Sequence, residues 1–170
     1  MGMAKSAVDR MTDFVVRPIE PSDAAELVRA HDSLSDETRR RRFFSPHPHL
    51  TEAEARHFTV LDHVDREAFV VLVDDRIVAV GRYDRIDPNA AEVAFVVGDN
   101  WQSHGLATML LNKLAERALA VGITRFVADT FGDNRAMLAV FRHWAPDRKV
   151  TIDSGLLHVE MSIPRGTTDD

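Results

Sequence analysis

Apolar and polar positions change their period several times along the chain, and each change predicts an element. Residues 14–17 form a short apolar run closed by Pro18, which predicts a first strand. Pro21, Ser22 and Asp23 open a helix whose apolar face is supplied by Leu27 and Val28. A second helix is predicted over 36–44, stopped by Pro46 and Pro48. The capping box from Thr51 to Glu54 predicts a third, short helix reaching about Phe58. Two β-branched runs, 68–73 and 77–83, flank Asp74-Asp75 and read as a hairpin. After the turn signal Asp87-Pro88-Asn89, residues 92–97 read as another strand. The clearest helix spans 105–121, with Leu106, Leu110, Leu111, Leu114, Ala118 and Val121 at helical spacing and Gly122 at its end. Residues 124–130 read as a strand and 134–144 as a helix. The segments 149–152 and 156–163, joined through Ser154-Gly155, form a closing hairpin.

This order predicts an α+β domain on a mixed sheet, in which only the strand–helix–strand segment 92–130 has the character of a parallel crossover. A length of 170 residues suits one core, placed here over 14–163, with residues 1–13 and 164–170 as tails. The composition, 45% hydrophobic and 28% charged, is that of a soluble globular chain. The N-terminal stretch lacks the apolar core of a secretory signal, and there is no run of about 18 apolar residues. A cytoplasmic location without membrane association is expected. There are no cysteines, so no disulfide, thiolate nucleophile or Cys-ligated zinc is available. His47 and His49 have no third ligand in pattern and read as a surface loop, so no metal is expected. The net charge of −6 argues against a nucleic-acid partner and suits a cationic substrate.

The chemistry-bearing segment runs from Val96 to Thr108. An apolar strand enters a short loop that leads straight into the long helix. The first turn of a helix leaves backbone N–H groups unpaired and carries partial positive charge. Small residues at Ser103, Gly105 and Ala107 let a ligand approach that backbone, a setting for a pyrophosphate or another anion. It is neither a P-loop nor a dinucleotide G-x-G-x-x-G fingerprint. Taken alone, Gly105 fits an ordinary strand-to-helix turn with an N-cap serine better than an anion site.

Together with the element order, this segment resembles the GNAT superfamily of acetyl-CoA-dependent N-acetyltransferases, over about residues 14–163. The signature Gln/Arg-x-x-Gly-x-Gly/Ala is met by Gln102-Ser103-His104-Gly105-Leu106-Ala107. The resemblance implies a GNAT fold, a central mixed sheet of about six to seven strands flanked by about four helices. It implies that Phe95, Val96 and Val97 pair with the pantetheine arm. It further implies that Gln102, Ser103, His104, Gly105, Leu106, Ala107 and Thr108 surround the pyrophosphate, and that Asn134 contacts the cofactor or an ordered water. Residues 34–38 and 42–44, 63–67, and 90–97 are similar to one branch of the family, bacterial protein-lysine acetyltransferases that act on acyl-CoA synthetases. Relatives in that branch carry a cyclic-nucleotide or synthetase-like domain. This chain has no room for either, so cyclic-nucleotide regulation is not expected.

Transfer to an amine requires a neutral nucleophile, and a lysine amine of pKa about 10.4 is mostly protonated at neutral pH. Glu92, the only acid between Pro88 and Gly98, lies on the strand entering the loop. A carboxylate there is costly unless it faces a cleft or a partner. Its position also matches the glutamate that serves as general base in the lysine-acetyltransferase branch. The resemblance places the oxyanion donor at a backbone N–H near Val96 or Val97. Many relatives use a tyrosine seven residues after the asparagine as acid. Phe141 stands there, leaving either an unassisted thiolate of pKa about 8.5 or another donor, with Tyr83 the only tyrosine. The arginine run 39–42 reads as a solvated helix face, although in this family the early helices line the acceptor site.

The resulting expectation is direct attack of an amine on acetyl-CoA in a ternary complex. The leading acceptor is a protein lysine, with acyl-CoA synthetases as the candidate class. Two alternatives stay open: a small-molecule amine N-acetyltransferase, and an acyl-CoA-binding sensor without catalysis. A monomer or a homodimer is compatible with the sequence.

Overall fold

The computed structural model describes residues 13–166. The predicted tails, apart from Asp13 and residues 164–166, lie outside the described residues. Seven strands form one sheet: β1 (Phe14–Pro18), β2 (Arg66–Val73), β3 (Arg76–Asp87), β4 (Ala90–Val97), β5 (Arg125–Thr130), β6 (Lys149–Asp153) and β7 (Leu156–Ser162). Five α-helices accompany them: α1 (Ala24–Asp32), α2 (Asp36–Phe43), α3 (Glu52–Thr59), α4 (Leu106–Ala120) and α5 (Arg135–Trp144). Short 3₁₀ turns precede α1 and α4. Each of the five corresponds to a helical segment read from the sequence, including α2, whose sequence DETRRRRF has no apolar stripe and buries no residue. It is held by its Ser35 N-cap, which accepts from Thr38 N–H, and by ion pairs of Arg39 with Asp36 and of Arg40 and Arg41 with Glu37.

The strand order is β1-β2-β3-β4-β5-β7-β6. Every neighbouring pair is antiparallel except β4–β5, the crossover through α4 that the sequence predicts. The β2–β3 turn places Asp74 and Asp75 at φ 49° and 62°, and the β6–β7 turn places Ser154 and Gly155 at 51° and 81°. Positive φ at both central residues is the hairpin turn whose twist matches the strands.

Alternation along β4 divides its residues between two cores. Ala91, Val93 and Phe95 face α4 and α5, together with Leu110, Leu111, Leu114 and Phe126. Val96 joins the opposite core, with Leu27, Leu50, Ala55 and Val80 beneath α1 and α3. Leu110, Leu111 and Leu114 are fully buried, each contributing about 1.5–3 kcal/mol of transfer free energy. Gly81 lets α4 and Phe95 approach β3: a Cβ there would lie 3.0 Å from Leu110 Cβ and from Phe95 Cδ1.

Candidate active site

The site arises where β4 and β5 part. Their parallel register holds for three pairs only, ending at Glu92 with Val127. On its other side β4 stays paired to β3 as far as Val97 with Ala79. The backbone groups of residues 93–97 that point toward β5 are therefore left without a strand partner. A cleft of about 360 Å³ opens between the diverging strands. Unpaired strand edges present a row of donors and acceptors to an extended ligand.

At the wide end of the cleft, the loop turns into α4. Ser103 and Gly105 take φ 65° and 77°. A Cβ on Gly105 would meet nothing within 4 Å, so left-handed backbone rather than crowding is what calls for glycine. Gly105 is the N-cap of α4 and offers no side-chain cap, which leaves the first N–H groups of the helix open toward the cleft. Asn134 caps α5 beside it, its Oδ1 accepting from Met137 N–H at 3.3 Å.

Predicted residues Glu92, Phe95, Val96, Val97, Gln102, Ser103, Gly105, Leu106, Ala107, Thr108 and Asn134 all line this cleft. His104 does not. Its half-buried ring lies 6.4 Å from that of Trp101, which does line the cleft. Gln102 turns back onto its own strand: Nε2 donates to Val97 O at 3.2 Å and to Thr38 Oγ1 at 3.3 Å. Phe141 is buried in the cleft wall, 6.5 Å ring to ring from Phe95, and brings no hydroxyl. Tyr83 lies within the core on the face away from Glu92. Its hydroxyl donates to Val64 O at 3.0 Å, and burial pushes its pKa up to about 12.

Glu92 stands at the apex of the split, exposed to the cleft, with no hydrogen bond or ion pair among the described residues. Partial burial raises its pKa above the ordinary carboxylate range, and the charges of Asp129 and Asp84 add to the rise. Arg42 and His158 act in the opposite direction. Asp129 also lines the cleft and accepts from His158 Nδ1 at 2.8 Å. A carboxylate with a raised pKa and no competing partner is suited to take a proton at neutral pH.

Sequence reasoning passed over one feature and left a second unassigned within the arginine run. Asp99 fastens the loop to the start of α2, accepting from Ser35 N–H at 2.9 Å, Ser35 Oγ at 2.7 Å and Thr38 Oγ1 at 2.8 Å. Burial works against its ionised form, but these donors hold its pKa below the usual value. The second is Arg42, which reaches the cleft together with Arg41 and Phe44. The signal available for it was the arginine run itself: Arg39, Arg40 and Arg41 each have an acidic partner three or four residues back, whereas residue 38, four before Arg42, is a threonine.

Among the described residues no three His, Asp or Glu side chains converge as metal ligands, and no helix is long and apolar enough to cross a membrane.

The site is thus a split between two parallel strands, closed at one end by an open helix N-terminus and carrying an unpartnered carboxylate at the other. The chain belongs to the acetyltransferase (GNAT) family, whose profile matches residues 31–144. It is 31% identical over 159 residues to acetyltransferase Pat of Mycolicibacterium smegmatis, a match covering 89% of this chain and 46% of Pat. The chain thus spans about half the length of that relative. The crystal structure of the GNAT domain of S. lividans PAT superposes with a TM-score of 0.81 at 34% identity, over 86% of this chain and 89% of that one. YncA of Salmonella typhimurium, solved with its cofactor acetyl-CoA, shares the fold with a TM-score of 0.71 at 14% identity, covering 93% of this chain and 98% of yncA.

Proposed function

We propose that this chain transfers an acetyl group from acetyl-CoA to a primary amine, the Nε of a protein lysine, by direct attack in a ternary complex. The observation that carries the reading is the unpartnered Glu92 at the point where β4 leaves β5. In this reading the pantetheine arm pairs along Phe95, Val96 and Val97. The pyrophosphate rests on the N–H groups at the start of α4, with Gln102, Ser103, Gly105, Leu106, Ala107 and Thr108 around it. Glu92 accepts the proton that the ammonium must lose, directly or through a water. A backbone N–H near Val96 or Val97 faces the developing oxyanion. Phe141 offers no proton, so the CoA thiolate leaves without a side-chain acid from that position.

The likeness to Pat and to the PAT GNAT domain supports a protein acceptor, and acyl-CoA synthetases are the class to test first. The carboxylates of Asp84, Glu92 and Asp129 lie on one face of the sheet, a setting that favours a cationic lysine. The test is an acyl-transfer assay with acetyl-CoA, comparing a panel of acyl-CoA synthetases with a panel of small amines. CoA release and acceptor mass are read together. An acetylated synthetase lysine is the expected result. Reaction with small amines alone would overturn the protein acceptor. Tight acetyl-CoA binding with no transfer to either panel would overturn the enzyme reading in favour of a sensor.

A further inference from the structure

Two arginines, Arg42 and Arg82, line one interior cavity. Arg82, on β3, is only 5% exposed. Its Nη1 and Nη2 each reach the Phe58 carbonyl at a long 3.4 Å, and its guanidinium lies 4.4 Å above the Phe58 ring. Arg42, at the end of α2, lies 4.8 Å over the Phe43 ring and 5.8 Å over Phe58. Neither forms an ion pair among the described residues, although Arg17, Arg29, Arg66 and Arg85 all do. Burial and the neighbouring Arg42 charge push Arg82 down to about 9, which leaves it charged at neutral pH. The charges of Asp84 on both arginines and of Glu92 on Arg42 act in their favour, but neither acid pairs with them, and an anion seated between the two guanidinium groups would relieve both.

Both side chains face a cavity of about 60 Å³ whose other walls include Leu27, Phe43, Leu50 and Val80. That is room for a group the size of a few waters, too small for a nucleotide or a sugar. The cavity adjoins the β4–β5 cleft, since Arg42 and Val96 line both. Register sets Arg82 opposite Ala94, the residue between Glu92 and Val96 on the strand, so the pair lies beside the expected reacting centre. Planar guanidinium forks match a carboxylate in two-point contact, and the apolar walls suit a short methylene spacer.

We infer that Arg42 and Arg82 form a receptor for a carboxylate carried into the cleft by one of the two substrates. This rests on the acyl-transfer reading above and deepens it by adding an anionic group to the substrate's chemistry. The carboxylate comes either on the acyl group, as in a dicarboxylic acyl-CoA, or on the acceptor, beside its reactive amine.

The experiment measures binding by calorimetry, so that it does not depend on turnover. One arm compares succinyl-CoA with butyryl-CoA. The other compares lysine with lysine amide, and a lysine peptide bearing a neighbouring glutamate with its glutamine counterpart, each in the presence of CoA. Wild type, Arg82→Met and Arg42→Gln are run together, and the Tm of each variant registers folding. Arg82→Met removes a buried unpaired charge and is expected to match or exceed the wild-type Tm. Should it fail to fold, Arg42→Gln, on the half-buried partner, carries the test. The carboxylate-bearing ligand is expected to bind about tenfold or more tightly in one arm, the size of a charge-assisted contact, and to lose that margin in the variants. Equal binding in both arms, or a preference that survives in the folded variants, would overturn the inference. Failure of acetyl transfer in the panel assay would instead overturn the acyl-transfer reading, because the calorimetric margin is read without it.

Discussion

Glu67 and Glu92 sit on the two strands that flank β3, and the protein treats them in opposite ways. Glu67 is 2% exposed and fully engaged: it accepts from His63 Nδ1 at 2.7 Å and Ala68 N–H at 3.0 Å, with Arg117 Nε at 3.5 Å. Glu92, on the opposite face, meets no donor among the described residues, although burial and two neighbouring carboxylates disfavour its charge. A buried charge surrounded by donors belongs to the architecture; one left open in a cleft costs stability that nothing in the fold returns. The same contrast separates Asp23, held in a two-point pair by Arg17 at 2.8 Å, from Arg42 and Arg82, which form no ion pair among the described residues.

Exchanging each glutamate for its neutral isostere tests the comparison at both ends. Glu92→Gln is expected to slow acetyl transfer by about 10²-fold or more, the range for a lost general base, with a Tm close to wild type. In Glu67→Gln the effect should fall on stability. Losing the charge-assisted bonds costs roughly 1–3 kcal/mol, read by denaturant unfolding, while transfer by the folded protein continues. Loss of transfer in Glu67→Gln at temperatures where it is folded would collapse the distinction. At the other end of the cleft, Gly105→Ala forces a side chain onto φ 77°, at about 1–2 kcal/mol, and should also weaken acetyl-CoA binding in calorimetry. The smallest effect is electrostatic. The charge of Asp129 raises the Glu92 pKa, and a general base works when deprotonated. Asp129→Asn should therefore shift the acid limb of kcat/KM to lower pH. An unmoved limb would detach Asp129 from Glu92.

Much of this was legible in the sequence because it is local. The spacing of Leu110, Leu111 and Leu114 defines α4, the Asp74-Asp75 pair defines its hairpin, and Glu92 interrupts an apolar strand whose alternate residues Ala91, Val93 and Phe95 are all buried. Gly105 after a strand and before a helix marks the left-handed turn into α4. What sequence could not supply depends on tertiary convergence. Arg42 and Arg82 are forty residues apart and come together because α2 packs against β4, the neighbour of β3, and Asp99 reaches Ser35 and Thr38 across 64 and 61 positions. The β4–β5 split is also invisible in composition, since the same apolar residues continue along β4 beyond the last paired position. His104 shows the converse limit: a motif assigns it to the loop but does not say which way it points.

The most direct measurement is kcat/KM for acetyl transfer as a function of pH, run in parallel on wild type and Glu92→Gln. The account predicts that wild-type activity rises with pH through an acid limb whose midpoint lies above the ordinary carboxylate range, and that this limb vanishes in Glu92→Gln along with most of the rate. An acid limb of the same midpoint in Glu92→Gln, at a rate near wild type, would contradict it.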